Sequence, residues 1–341
     1  MRGTYVSFNS VIHNVMETSN QVNCTGAGVM LMHKGEVVVE KYWGKQSNHP
    51  NARNIQPDTQ FHIASVRKSY IGYAVAYAVY HGYIQSIDDP ITHYLPLAND
   101  AVYNGVLIRH LLTHTHGLTK KDHQIQQEFA PGTSWAYRGA AIEILTDLVE
   151  KTTGKTVAMI LQETIFEPLQ LVETGWYSSV KENFVDVINA EQNPHWYTSE
   201  NVDGSQMNMY VSIRDLIRWG QLHLQKGRWN GQQVVDEELI EIATSIQSPT
   251  TLPLALPQNG FFWFAQKDEG IPSDRMELSL QLPAGSYQLL GYTNVTLLVI
   301  PQYEVVAVRA FNSFGSAEGF DYIKDVRTFG DIIMEVLKDG I

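Results

Sequence analysis

The chain has 341 residues, 44% hydrophobic and 18% charged, with 24 Lys+Arg against 36 Asp+Glu. The formal charge of -12 disfavours nucleic acid or an anionic membrane surface as the main partner, and the composition is that of a globular chain rather than a disordered one. Cys24 is the only cysteine, so no intrachain disulfide can form.

No run of about 18 apolar residues is present, so no membrane span is expected. The opening MRGTYVSFNSVIHNVMETSN lacks the basic flank and apolar core of a signal peptide, which makes a cytoplasmic location the expectation.

In chain order, residues 5–20 are expected to form a helix with Val6, Ile12, Val15 and Met16 roughly on one face. GAGVMLMHKGEVVVEKYWG predicts two strands around a turn at His33-Lys34-Gly35-Glu36. A helix begins near Ser65 and runs to about Gly82, followed by the irregular connection IDDPITHYLP, broken by Pro90 and Pro96. LIRHLLTHTHGL (107–118) predicts a short helix ending at Gly117. A turn at Pro131-Gly132 precedes an amphipathic helix that stops near Gly154.

Residues 155–235 are expected to continue mostly helical. From about residue 261, FFWFAQ, SYQLLGY, TLLVIP and EVVAVRAF read as antiparallel strands, and a helix at about 322–338 closes the chain. The expected fold is α/β (α+β): an antiparallel sheet built from both termini and flanked by helices, with a mostly helical insertion. One domain spans 1–341, with an α/β lobe of 1–64 plus 260–341 and a helical lobe of 65–259. The site is expected where sheet and helices meet.

Within FHIASVRKSYIGYAVAYAVYHGY, Ser65 and Lys68 stand three apart where an apolar helix begins. That spacing puts both on one face, so the amine can reach the hydroxyl. Apolar surroundings favour loss of the lysine proton, the helix start favours charge developing on Ser65, and the Ser65 backbone N–H is placed for an oxyanion. The plain alternative is a solvated first turn. Spacing alone does not decide, because Ser178 and Lys181 repeat it in the polar WYSSVKENF.

Other candidates are weaker. His114 and His116 form H-x-H without a companion carboxylate or cysteine cluster, so no metal is expected. His62, His195 and Trp196 could line a pocket, with core or loop roles the default. Asp88 and Asp89 read as turn and capping residues before Pro90. Glu143 lies six residues after Tyr137, off its helical face.

In order along the chain, FHIASVRKSY, DDPITHYLP, IRHLLTHTHGL, FAPGTSWAYRGA, IFEPLQL and VSIRDLIRWGQLHLQKGRWNGQQVV resemble the class C β-lactamase-like serine hydrolases. That family is also called penicillin-binding-protein-like or β-lactamase-related, and the resemblance runs from about residue 25 to 315. It implies Ser65 as acylated nucleophile, Lys68 as its activator and Tyr137 as the tyrosine of Tyr-x-Asn. A phenol beside an ammonium would have a lowered pKa and shuttle a proton to the leaving group.

Counting back from Pro301, Leu289-Leu290-Gly291 falls where the family carries Lys/His-x-Gly on a strand, and Tyr292 would supply the second oxyanion N–H beside that of Ser65. Gly139, Leu289 and Gly291 are thus the implied substrate-binding positions. Two of them depart from the pattern: Gly139 stands for Asn, and Leu289 for Lys or His. Arg138 either replaces a lost charge or points to solvent. The implied activity is acyl transfer from small esters, amides or peptides without a cofactor, with efficient penicillin hydrolysis disfavoured. A relative that binds penicillin or a peptide with little turnover is the alternative.

Overall fold

The computed structural model describes residues 7–97, 100–122, 124–188, 198–267 and 277–339. A six-stranded sheet runs in the order Phe264–Ala265, Tyr287–Gly291, Val295–Ile300, Val305–Phe311, Gly26–His33, Glu36–Gly44. Every neighbouring pair is antiparallel. The two ends of the chain meet in its middle, where Ala27 faces Phe311 and His33 faces Val305. The expected mixed fold with a sheet drawn from both termini is the observed one.

Both sheet faces are covered, and alternation along each strand sorts the side chains. Val29, Leu31, Val305 and Ala307 join Val11, Val15, Phe329 and Ile333 of the Asn9–Gln21 and Tyr322–Asp339 helices in one core. Met30, Leu297, Val306 and Val308 join Ile71, Leu216 and Trp219 in the other. There the Ile213–Leu224 helix packs on the sheet, its N-terminus capped by the Ser212 hydroxyl, which accepts the Asp215 N–H at 3.1 Å.

The Lys68–Tyr80 helix is buried from Lys68 through Ala76, apolar all round as a central helix must be. Tyr70 stacks on Trp219 at 4.4 Å, and the Trp219 indole donates to Ser69 Oγ at 3.0 Å.

The middle of the chain is less helical than expected. Within 155–235, Met209–Ser212 pairs with Gln60–His62 on one side and Thr174–Trp176 on the other in a three-stranded antiparallel sheet. These runs are three or four residues long, and partners far away in sequence hold them. The helix in 107–118 ends at Leu112, and Leu118–Lys121 forms a hairpin with Gln124–Gln127. Of FFWFAQ only Phe264–Ala265 is strand, because Phe262 at φ +66° breaks the extended run. Among the described residues no helix is long and apolar enough to cross a membrane.

Candidate active site

Ser65 lies in the 3-10 turn Ala64–Arg67, which leads directly into the Lys68–Tyr80 helix. The residue before it, Ala64, has φ +46°, a left-handed conformation that costs an alanine about 1–2 kcal/mol. Neighbouring hydrogen bonds hold it there. The Val66 N–H donates to Ile63 O at 3.1 Å, the Thr293 hydroxyl to His62 O at 2.6 Å, and the Ala64 N–H to His62 Nδ1 at 3.3 Å. His62 therefore braces the turn.

Lys68 is 6% exposed, and its Nζ donates to Ser65 Oγ at 3.3 Å and to the Tyr137 hydroxyl. The same nitrogen stands 3.8 Å from the Tyr137 ring centroid. Burial, and secondarily the Arg67 guanidinium, hold Lys68 well below its usual pKa of 10.5. Arg67 itself is buried without a carboxylate: Nε donates to Met207 Sδ at 3.0 Å, and Nη1 has no partner. Burial lowers its pKa to about 10.

The Tyr137 phenol moves opposite to expectation. Burial pushes it up to about 12, against the opposing pull of the Ser65 hydrogen bond and the Arg67 charge. A lowering would need a full positive charge on Lys68, and burial disfavours that charge. Although 39% of Tyr137 is exposed, its hydroxyl is engaged by Lys68. Beneath the ring lies His114, centroid to centroid 4.5 Å, with Trp135 5.8 Å from that imidazole. Burial and then Lys68 keep His114 well below the usual histidine range, so a neutral ring supports Tyr137.

Gly291 ends its strand against the nucleophile turn. A Cβ there would stand 2.4 Å from Ile63 O, so only glycine permits this approach. Ser65, Tyr137, Gly291 and Tyr292 line one cavity of about 290 Å³ together with Phe264, Glu277, Leu290, Asn294 and Tyr322.

The structure does not bring Leu289 or Gly139 into that cavity's wall. Leu289 is 2% exposed in the core, and strand alternation presents Leu290 instead. Gly139 is exposed just before the Ala140–Thr153 helix, with no neighbouring atom within 4 Å of where its Cβ would be.

The remaining candidates lie apart from the cleft or support it. Ser178 and Lys181 are exposed, with Lys181 over the Tyr177 ring. Asp88 binds Arg109 at 2.6 and 2.9 Å, Asp89 accepts from Tyr94, and Arg138 pairs with Glu128. His116 Nδ1 accepts the Leu118 N–H at 2.8 Å. Glu143 is exposed. His195 and Trp196 lie outside the described residues. Among the described residues no group of three or more His, Cys, Asp or Glu could hold a metal ion. Glu277, Arg67, Trp135 and Tyr322 belong to the site or its support and were not foreseen. Only Arg67 carried a sequence signal, by standing between Ser65 and Lys68.

This fold is that of the β-lactamase-type serine hydrolases. The Beta-lactamase family model matches residues 8–329, and the chain belongs to that family. An uncharacterized protein of Alkalihalophilus pseudofirmus is 55% identical over 97% of this chain and 96% of its own. Esterase EstB of Burkholderia gladioli is 27% identical over 47% of this chain and 49% of its own. A penicillin-binding protein homolog from Caulobacter crescentus shares the fold at TM-score 0.74 and 18% identity, over 96% of this chain and 97% of its own.

Proposed function

We propose that the chain hydrolyses small esters or amides through an acyl-enzyme on Ser65. The observation that carries this reading is one buried amine bonded to two hydroxyls, Ser65 Oγ at 3.3 Å and Tyr137 Oη. The free amine of Lys68 takes the Ser65 proton as Oγ bonds to the substrate carbonyl carbon. The backbone N–H groups of Ser65 and Tyr292 receive the oxyanion. As the carbonyl–leaving-group bond breaks, the Tyr137 phenol protonates the departing oxygen or nitrogen and regains a proton from Lys68. Lys68 ends neutral, Tyr137 ends protonated, and Ser65 carries the acyl group. Water repeats the sequence in reverse and releases the acid. A depressed lysine and a raised tyrosine are the resting states this cycle needs.

The experiment is intact-mass measurement after a fluorophosphonate and after a penicillin, alongside p-nitrophenyl ester hydrolysis. A fluorophosphonate adduct at Ser65 with ester turnover is expected, and Ser65→Ala should lose about a thousandfold or more in kcat/KM. Unchanged turnover in Ser65→Ala would overturn the assignment. A cleft with no lysine or arginine among its described lining residues favours an esterase or amidase over a β-lactamase. A penicillin adduct that persists without ester turnover would instead identify a penicillin-binding relative.

A further inference from the structure

The cleft beside Ser65 is apolar and aromatic over most of its wall, with Phe264, Leu290, Tyr292 and Tyr322 contributing. Among its described lining residues no lysine or arginine appears, and Glu277 is the one carboxylate. Glu277 is anchored where its strand neighbour can hold it, since Gln288 Nε2 donates to the Glu277 carbonyl at 2.9 Å. Its Oε2 is buried and has no hydrogen-bond partner. The titratable groups acting on Glu277 or acted on by it are the Tyr137 and Tyr322 phenols and Arg327 of the Tyr322–Asp339 helix. Burial raises the Glu277 pKa to about 7, with the Glu277 backbone N–H and then Arg327 only partly offsetting.

A buried carboxylate oxygen without a donor is costly unless a cation or donor arrives. An ammonium bound in this cleft would stand beside the Glu277 carboxyl that lines it and against aromatic side chains, both of which favour positive charge over a neutral group of equal size. The net charge of -12 adds a long-range attraction of the same sign.

We propose that Glu277 is the recognition group for a cationic substituent, so that the cleft selects esters or amides bearing an ammonium group. This deepens the reading of Ser65 as an acylating serine and rests on it.

Charge is isolated by substrates that differ only in nitrogen against carbon. On the acyl side, the p-nitrophenyl ester of 4-(trimethylammonio)butanoate is compared with that of 5,5-dimethylhexanoate. On the alcohol side, acetylcholine is compared with 3,3-dimethylbutyl acetate. Each rate is divided by its spontaneous hydrolysis rate. In the wild-type chain the cationic member is expected to lead by about tenfold or more in kcat/KM on one of the two sides. Glu277→Gln should bring that ratio within about threefold of one, whereas Glu277→Asp, which keeps the charge, should retain a preference for the cation. Fluorophosphonate labelling of each variant reports that the Ser65 turn is intact.

A ratio near one in the wild type with neutral esters turned over overturns the inference and leaves the acylating serine standing, as does a preference that survives Glu277→Gln. Turnover of no ester together with no fluorophosphonate adduct overturns the acylating serine, and this inference falls with it.

Discussion

Arg67 and Lys68 are adjacent in sequence and both buried, at 4% and 6% exposure, and the guanidinium lowers the pKa of the amine beside it. The same charge pulls the Tyr137 phenol down from where burial alone would put it. Replacing Arg67 by methionine, which keeps most of the side-chain length, removes both effects. Lys68 should then become a free amine only at higher pH, so the acid limb of the kcat/KM profile moves upward. The alkaline limb, set by Tyr137, should move upward as well. A pH–rate profile of Arg67→Met on a p-nitrophenyl ester checks this, and an unmoved or downward-shifted acid limb contradicts it. Because Arg67 lacks a carboxylate partner and its Nη1 is unbonded, methionine should leave Tm equal or higher.

Gly291 and Ile63 set how close the strand edge comes to the nucleophile turn. The Cβ of an alanine at 291 would lie 2.4 Å from the Ile63 carbonyl oxygen, and both partners are backbone, so neither can swing aside. Gly291→Ala should push the strand away from Ser65 and Tyr292 out of register with the oxyanion. The expected cost is about 1–3 kcal/mol in stability and about a hundredfold in kcat, read by denaturant unfolding and by ester kinetics. Wild-type kcat in this variant would show that the close approach is dispensable.

Ser65 and Lys68 carried a weak local signal, a three-residue spacing at a helix start that Ser178 and Lys181 repeat, and it was the ordered set of family-like blocks that marked them and Tyr137. The six-stranded sheet was legible from strand runs at both ends of the chain. The three-stranded sheet was not, since Gln60–His62 finds Met209–Ser212 across nearly 150 residues and each strand alone is too short to show a period. Leu289 illustrates a subtler limit. Counting from Pro301 located the strand and Gly291, but which face Leu289 occupies depends on strand register, and pairing of Leu289 with Leu297 turns it into the core. Glu277 had no motif at all. Its position follows from tertiary packing that puts it in the wall of the cavity that Ser65 also lines.

The Leu289 burial makes a direct prediction about restoring the family's missing basic group. Leu289→Lys would place an ammonium in a core that includes Ile71, Leu297 and Trp219, without a carboxylate to meet it. The expected result is a loss of several kcal/mol, seen as a large drop in Tm, rather than a gain of penicillin hydrolysis. A stable Leu289→Lys variant that turns over a penicillin would show that the residue can reach the cleft.

Glu277 links the site to stability through pH. Its folded-state pKa is raised from the usual 4.5 to about 7, chiefly by burial. Below about pH 4.5 the carboxyl is protonated in the folded and unfolded chain alike, and its contribution is fully present. Between about 4.5 and 7 the unfolded chain releases the proton while the folded chain keeps it, so stability falls as pH rises. Above that range both states are ionised and the whole penalty, on the order of 3 kcal/mol, is in place. Glutamine has the same shape and does not titrate. Glu277→Gln should therefore match the wild-type Tm near the acid end of this window and exceed it at pH of about 8, by a margin that opens between those limits. Thermal unfolding of both proteins across the range measures it. A difference in Tm that stays constant with pH, or that closes as pH rises, would mean that the Glu277 carboxyl is already ionised in the folded chain at low pH, paired with a cation such as Arg327.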